Sequence, residues 1–468
     1  MYHKMKTRSK NIKRLVALLL VLSVAVWMAT RWHVWFGNPE ELAAEPLTVP
    51  GHVLLTFGDE NELSRNVSWQ CDTVVKPSWL ELVCDSDTVH IEAQGEVFES
   101  RKGKVAYYVA RLRQLKPDTH YRYRAVSGPR HGQAEKSSPW YDFQTYAPNR
   151  DKFSFLFVGD VQDTIGGIAN RLLMEAWARH PEVEFLVCGG DLTERPANQY
   201  WAETFHDLDS IGQSMPILNV TGNHDYFKGV IQRLERRFPL IFSYFLDSKV
   251  GDNMVYTLKY GDAQLFVLDS NREFFYLWTQ RQWLEEQLQQ SKAKWKILIL
   301  HHPLYSIKGS NNNMTQRWMF DDLVREYGVD LVLQGHEHAY ARMIGGVYKN
   351  GAPAVPVYTV SHCSPKNYRI WFDERFDKFG ISSRYYQTVT IHGDTLEMAA
   401  YDANTQALYD SLMIHVSPNK AHLVIDLGKD IPENLEYTPD PSNKKDLKFA
   451  DRIQEYINRH PERMQTKN

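Results

Sequence analysis

Cysteine is scarce in this sequence. Four occur in 468 residues, Cys71, Cys84, Cys188 and Cys363, and none forms a Cys-x-x-Cys pair. That argues against a structural zinc site built from paired thiolates. Cys71 and Cys84 both fall in the N-terminal part, and a bond between them is one open pairing. An excess of charge is also missing. The formal net charge is −3, which leaves no broad basic surface for a nucleic-acid polymer. No acid precedes Glu40, and no internal repeat is visible.

The acid-free start has a pattern of its own. Lys4, Lys6, Arg8, Lys10, Lys13 and Arg14 precede Leu15 to Thr30, an uncharged and almost wholly apolar run. Such a segment is an export signal or a membrane anchor. The run alone falls short of the ~20 residues that span a bilayer, and Trp32, Trp35 and Phe36 extend it into the interface. No Ala-x-Ala site and no Cys stand directly after it. Residues 1–36 are therefore expected to be an uncleaved anchor with its basic end in the cytoplasm. The rest would lie outside the cytoplasm, in the periplasm or cell envelope, with secretion as the alternative. Lean cysteine use fits that placement.

The remaining chain is longer than one core usually organises, so at least two domains are expected. Over residues 45–148, short alternating runs read as strands. Examples are His52-Val-Leu-Leu-Thr-Phe, Asn66-Val-Ser-Trp-Gln, Thr88-Val-His-Ile-Glu-Ala, Lys104-Val-Ala-Tyr-Tyr-Val-Ala and His120-Tyr-Arg-Tyr-Arg-Ala. Their spacing suits a small all-β sandwich. From residue 150 to 416 the pattern changes to α/β. Continuous apolar runs such as Phe153 to Val158 suit strands buried on both faces. They alternate with helical stretches around Ile168 to Arg179, Thr279 to Ser291 and Trp318 to Tyr327. Tyr386 to Tyr401 reads as a hairpin with a Gly-Asp turn. Residues 417–468 read as a polar tail with one amphipathic helix carrying Phe449, Ala450, Ile453 and Ile457 on one face.

Chemistry-bearing residues follow the buried runs. After Val158 comes Gly159-Asp160-Val161-Gln162. After Cys188 comes Gly189-Gly190-Asp191. After Val220 comes Thr221-Gly222-Asn223-His224-Asp225. After Leu300 comes His301-His302-Pro303. After Leu333 comes Gln334-Gly335-His336-Glu337-His338. In open α/β sheets the carboxyl ends of strands form the ligand crevice. Oxygen ligands mixed with imidazole suit Mn, Zn or Fe better than Ca or a thiolate site. Each motif alone is weak, and a lone Gly-Asp is most often a turn. Together and in order they point to a metal centre.

The ordered set resembles the calcineurin-like metallophosphoesterase superfamily, and within it the purple-acid-phosphatase-like branch. Leu115-Lys-Pro-Asp-Thr-His-Tyr-Arg-Tyr and Tyr141-Asp-Phe-Gln-Thr resemble the late strands of a fibronectin type III domain, which that branch places before its catalytic domain. The resemblance implies an N-terminal fibronectin type III-like sandwich followed by two packed mixed β-sheets flanked by helices. It implies two metal ions. Asp160 and His338 would bind the first, with Gln162 as a further candidate. Asn223, His301 and His336 would bind the second, and Asp191 would bridge them. His224 would serve the leaving group, Asp225 would orient it, and His302 would contact phosphate or support the ligands. The implied activity is hydrolysis of phosphate monoesters by a metal-activated hydroxide, on a phosphorylated small molecule or nucleotide.

Two departures stand out. The purple branch has a tyrosine three residues after the second Asp, where this sequence has Glu194, so no purple colour is expected. Gln162 stands where the wider superfamily has His or the purple branch Gly. Two other readings remain open: a phosphodiesterase or nucleotide pyrophosphatase, and a non-catalytic envelope binding or scaffold protein. Outside the motifs, Tyr340 and Arg342 are expected near the rim, with Arg342 more as an ion-pair partner than a phosphate ligand. His180 and His206 are expected at the surface. His362 is expected to line the pocket or lie in a loop. Phe274, Phe275, Tyr276, Trp278 and Trp201 are expected to pack or border the mouth.

Overall fold

Residues 2–36 form one uninterrupted helix, α1 (Tyr2–Phe36), in the computed structural model, which describes residues 2–58, 61–128, 135–229, 231–244, 250, 254–309 and 312–465. Its apolar section runs 24 residues from Lys13 to Phe36, and the rest of the chain buries none of it. At ~1.5 Å per residue that is about 36 Å, enough for a bilayer core of ~30 Å. The run from Leu15 to Thr30 thus understates the element, because Trp32, Trp35 and Phe36 continue the same helix.

Beyond Gly37 the chain is held, not free. Asn38 Nδ2 donates to the Lys228 carbonyl at 3.0 Å, and Asn38 Oδ1 accepts from the Lys228 amide at 2.8 Å. The buried Glu41 carboxylate receives Arg101 Nε and the Asn198 amide, both at 3.1 Å. Ala44 donates to the Lys102 carbonyl, and Gln70 Nε2 donates to that of Glu45. Residues 38–45 are a strap across the seam between the β domain and the α/β domain. A domain start at residue 45 overlooks it, because single polar side chains and backbone groups hold it and leave no periodic signal.

The β domain has the strands Gly51–Phe57, Arg65–Gln70, Ser78–Cys84, Asp87–Ser100, Gly103–Leu112, His120–Ser127, Lys136–Ser137 and Tyr141–Gln144. Strand Asp87–Ser100 changes partners midway, pairing with Ser78–Cys84 and then with Gly103–Leu112. Trp69, Leu80, Tyr108, Tyr123 and Phe143 fill the space between the layers. Cys71 and Cys84 are unpaired: Cys71 is buried, while Cys84 lies beside Asp85 at a strand end.

In the α/β part, β1 (Lys152–Val158), β2 (Val183–Cys188) and β3 (Ile217–Asn219) are parallel neighbours. On its other edge β1 pairs antiparallel with Tyr385–His392, which forms the expected hairpin with Thr395–Asp402. A second mixed sheet holds β4 (Ala263–Val267), β5 (Trp295–Ile299), β6 (Leu331–Gln334) and β7 (Pro353–Val360) in parallel, edged by the antiparallel Tyr340–Val347. These strands are mostly apolar on both faces because both faces are covered. Helices α2 (Ala169–Arg179), α3 (Asn198–Asp207), α4 (Phe274–Gln290) and α5 (Met314–Glu326) flank the sheets. Helix α2 begins where it does because Asp163 accepts the Ile168 and Ala169 amides at 2.7 Å each. That carboxylate satisfies donors which a helix start leaves open.

The last fifty residues are no mere tail. His422–Asp426 pairs along Leu408–Val416 and touches β7, linking the two sheets. Helix α6 (Lys444–Arg459) buries Phe449, Ile453 and Tyr456 in the core of the second sheet. Tyr340 is buried rather than at a rim, its hydroxyl donating to Asp410 at 2.8 Å. Arg342, also buried, donates to Asp410 and Asp426. His180 is 8% exposed between Tyr386 and Tyr401, so its helix-end position misled. Trp201 packs inside.

The strap yields a test. A chain starting at residue 37 should unfold at the same temperature as the full chain. One starting at residue 48 should lose roughly 5 °C or more, at ~1 kcal/mol for each lost hydrogen bond. Equal midpoints in a thermal unfolding scan would show that the strap contributes nothing.

Candidate metal centre

The five motifs meet at one crevice, and the backbone there is unusual. Asp160, Gln162, Asp191 and His336 all have positive φ, at 33°, 36°, 53° and 69°. Non-glycine residues avoid this region, and it recurs where function over-determines the chain. Two glycines make room: a Cβ on Gly222 would lie 2.0 Å from Asp191 Oδ1, and one on Gly335 2.3 Å from Asp160 Oδ2.

Each carboxylate has one oxygen tied to backbone and one turned inward. Asp191 Oδ1 accepts the His224 amide at 2.7 Å, and Asp160 Oδ2 accepts the His336 amide. The inward oxygens face histidine nitrogens. His301 Nδ1 is 2.9 Å from the Gly189 carbonyl, which can only accept, so the ring proton sits on Nδ1. Its Nε2 therefore presents a lone pair 3.2 Å from Asp191 Oδ2 and 3.2 Å from Asn223 Oδ1. His338 repeats the pattern, with Nδ1 on the Lys366 carbonyl at 3.0 Å and Nε2 3.3 Å from Asp160 Oδ1. His336 Nδ1 closes on Asn223 Oδ1 at 2.8 Å. Ligand atoms of Asp191, His301 and His336 lie within 4.8 Å of one another. Asp160 Oδ1 and Gln162 Oε1 are buried with no donor, while Gln162 Nε2 donates to Asp191 Oδ2 at 3.0 Å. Lone pairs facing lone pairs in a buried site call for cations. The donor set fits metals that take mixed imidazole and oxygen ligands. Without one, a second proton substitutes: burial opposes it, but Asp191 and Asp160 push the His301 imidazole up to about 9.

The residues expected to handle protons are placed differently from one another. His224 Nδ1 meets the Glu194 carbonyl, and its Nε2 lies 3.4 Å from Arg195 Nη1. Asp225 does not orient it. Its carboxylate accepts the Gly222 amide at 2.7 Å and braces the loop, because consecutive residues of the Asn223–Asp225 turn point in different directions. Burial and the nearby Asp191 raise the Asp225 carboxyl well above its usual range. His302 packs 4.2 Å from the His336 ring. Burial and the neighbouring His301 lower it to about 3. Ser270 Oγ accepts the His302 amide at 2.9 Å and lies 3.0 Å from Nδ1. Glu194 is partly exposed and pairs with Lys366 at 2.5 Å.

Tyr368 and Lys308 at this site carry no sequence signal. Tyr368 stacks on His338 at 4.1 Å, and the Lys308 ammonium sits 4.1 Å above the Tyr368 ring. Lys308 also reaches the His336 carbonyl at 3.4 Å. His362, fully buried, lies 5.4 Å behind the His338 ring. Loop length and tertiary packing bring Tyr368 and Lys308 in, so no spacing rule would have found them, whereas His362 was expected to line the pocket or lie in a loop.

A second acidic group lies on α3. Glu203 accepts the Gly166 and Gly167 amides, and His206 is exposed. Burial, then the adjacent Glu203 and Asp163, raise the Asp207 carboxyl to about 8, with Arg384 opposing.

Comparison with known proteins follows the same outline. Residues 153–340 match the model of the calcineurin-like phosphoesterase family, and residues 50–145 that of the purple acid phosphatase N-terminal domain. The chain is 24% identical over 316 residues to Fe(3+)-Zn(2+) purple acid phosphatase 12 of Arabidopsis thaliana, covering 63% of this chain and 65% of that protein. It is 24% identical over 323 residues to the phosphoenolpyruvate phosphatase of Allium cepa, covering 63% of each. The matches thus span just under two thirds of these relatives' lengths. The fold is that of purple acid phosphatase PPD1 from yellow lupin (Lupinus luteus) seeds, with a TM-score of 0.65 at 16% identity, covering 80% of this chain and 75% of that one.

Two tests follow. Gly222→Ala should displace Asp191 and cut bound metal by ~10-fold or more, an effect typical of disturbed ligand support; full metal content in the purified variant would contradict the geometry. For Asp207, the folded carboxyl holds its proton to about 8, but an unfolded one releases it near 3.8. Between those values the folded state binds one proton more, so stability falls as pH rises. Asp207→Asn should flatten that fall in urea unfolding measured from pH 4 to 8; an unchanged slope would place the titration elsewhere.

Proposed function

We propose that this chain, whose calcineurin-like phosphoesterase domain stands behind a purple acid phosphatase N-terminal domain, is a metal-dependent phosphatase that hydrolyses phosphate monoesters. One observation carries the reading: proton-free acceptor atoms of Asp160, Asp191, Asn223, His301 and His338 converge in one buried crevice. Asp160 and His338 would hold one cation, with the Gln162 amide oxygen beside them. Asn223, His301 and His336 would hold the other, with Asp191 between the two. The purple acid phosphatase of Arabidopsis is named for Fe(3+) and Zn(2+). Here Glu194 replaces the tyrosine of the purple branch, which favours two divalent ions from Mn, Zn and Fe. When bound, such a pair draws in the phosphate dianion and acidifies water at the site.

The chain's own residues do the rest. Ser270 Oγ accepts the His302 amide and lies 3.0 Å from Nδ1; with the Ser270 hydroxyl donating to Nδ1, His302 would carry its proton on Nε2 and donate it to a phosphoryl oxygen. As the imidazolium, His224 would be fixed through Nδ1–H by the Glu194 carbonyl and would give its Nε2 proton to the departing alkoxide. Arg195 and Lys308 bring fixed positive charge to the same opening, where it stabilises charge that develops on the phosphoryl group. Asp225, His362 and Tyr368 hold loops and rings in place. Helix α1 would anchor the enzyme with this domain outside the cytoplasm.

The test pairs metal content with hydrolysis of an aryl phosphate before and after chelation. Two metals per chain are expected, with activity lost to chelator and restored by Mn or Zn. No hydrolysis by the two-metal protein, of monoester or diester, would leave a binding protein. Asp191→Ala should remove both metals. His224→Ala should keep them and cost ~10²–10⁴-fold in kcat. Lys308→Met should cost ~10–100-fold in kcat/KM, the worth of one charged hydrogen bond. An unchanged rate in either variant removes that residue from the mechanism.

A further inference from the structure

We propose that the apolar rim beside the crevice, made by Ile231, Phe274, Phe275, Trp278 and Trp318, is a membrane-docking surface seated in the headgroup layer of the bilayer that α1 enters. The proposal rests on α1 being a membrane anchor. It does not depend on the phosphatase reading.

The path from α1 to the rim is short, through Gly37 to Asn38 and then across two hydrogen bonds to Lys228. Rings gather at the C-terminal end of the helix, with Trp32 and Phe36 4.6 Å apart and Trp35 and Phe36 6.3 Å apart. Aromatic side chains at the end of a span sit at headgroup level. Only Gly37 separates Phe36 from Asn38, which makes two hydrogen bonds to the Lys228 backbone. Two residues reach ~7 Å at most, so the loop at Lys228 stands within roughly 15 Å of the helix end. The strap leaves no slack for this loop to swing far from the bilayer.

The same loop carries the rim. Ile231, three residues past Lys228, is 76% exposed. Tyr226, two residues before Lys228, bonds Asp269 through its hydroxyl, and Asn271 Nδ2 donates to the Thr221 carbonyl at 2.7 Å. These bonds fix the 269–271 segment, and α4 starts three residues later with Phe274 and Phe275. Gln316 on α5 donates to the Ser270 carbonyl at 3.0 Å, which brings Trp318 onto Phe274 at 5.8 Å between centroids, nearly parallel. Phe275 is 81% and Trp318 65% exposed, with Phe274 and Trp278 near half. Scattered exposed apolar side chains need no explanation, but large rings clustered around one opening do. The occupant is a lipid surface because the chain itself brings one to within a few residues of the rim.

The full chain, one copy per nanodisc, decides this through tryptophan emission. Two lipid compositions are compared, one with acyl chains brominated next to the headgroup and one without bromine. The emission removed by the double substitution Trp278→Phe, Trp318→Phe isolates the rim from α1. It should be quenched by roughly twofold or more in brominated discs, as expected for rings at the interface. Equal difference emission in both lipids would overturn the proposal. A raised KM for aryl phosphate without quenching would assign the rim to the substrate. Quenching absent, with difference emission altered only when discs hold two copies, would assign it to a second copy of the chain; both results also overturn it.

Discussion

Uncompensated negative charge and lone-pair density at the ends of the strands shape the rest of this molecule. Asp160 and Asp191 are buried, each with one oxygen taken by a backbone amide and the other turned toward an imidazole nitrogen that is free for a cation or a proton. Such an arrangement is costly in a low-dielectric interior unless cations bind. The surrounding structure is organised to hold it. Backbone carbonyls of Gly189 and Lys366 fix which nitrogen of His301 and His338 faces inward. Glycines at 222 and 335 let the carboxylates approach the chain. Four residues with positive φ aim the side chains, at an energy that the two sheets around them supply.

The sheets can do this because they are rigid on both faces. Their strands bury Phe155, Phe157, Leu186, Val187, Ile297, Leu331 and Leu333 almost completely, and close packing of this kind resists small shifts. The C-terminal residues add to that rigidity. His422–Asp426 ties one sheet to the other, and α6 covers the second core. Arg342 with Asp410 and Asp426 pins the Tyr340–Val347 strand from inside.

The β domain and the strap have a different task. They place the α/β domain relative to α1. Glu41 is buried at the seam and takes bonds from Arg101 on one side and Asn198 on the other. Asn38 adds the loop that leads to His224. The distance between the crevice and the end of the N-terminal helix is therefore limited by the strap.

The sequence by itself determined the division into a β part and an α/β part, and the order of the motif residues along the chain. Both are written in local, periodic terms: alternation for half-buried strands, continuous apolar runs for fully buried ones, and Gly with Asp, Asn or His just after them. It also marked the basic start and apolar run of α1. Only the tertiary structure decided which side chains meet. Asp225 adjoins His224 in sequence yet braces Gly222, while the Glu194 carbonyl, thirty residues away, holds the histidine. Tyr340 and His180 look peripheral in sequence and are core residues, and the polar stretch after residue 416 holds a strand and a packed helix. Lys308 and Tyr368 come together through loops of irregular length, and the strap through single hydrogen bonds. Periodicity records which face of an element is buried; it does not record which distant chain segment covers that face. That depends on the sum of many small packing and hydrogen-bond energies across the whole chain.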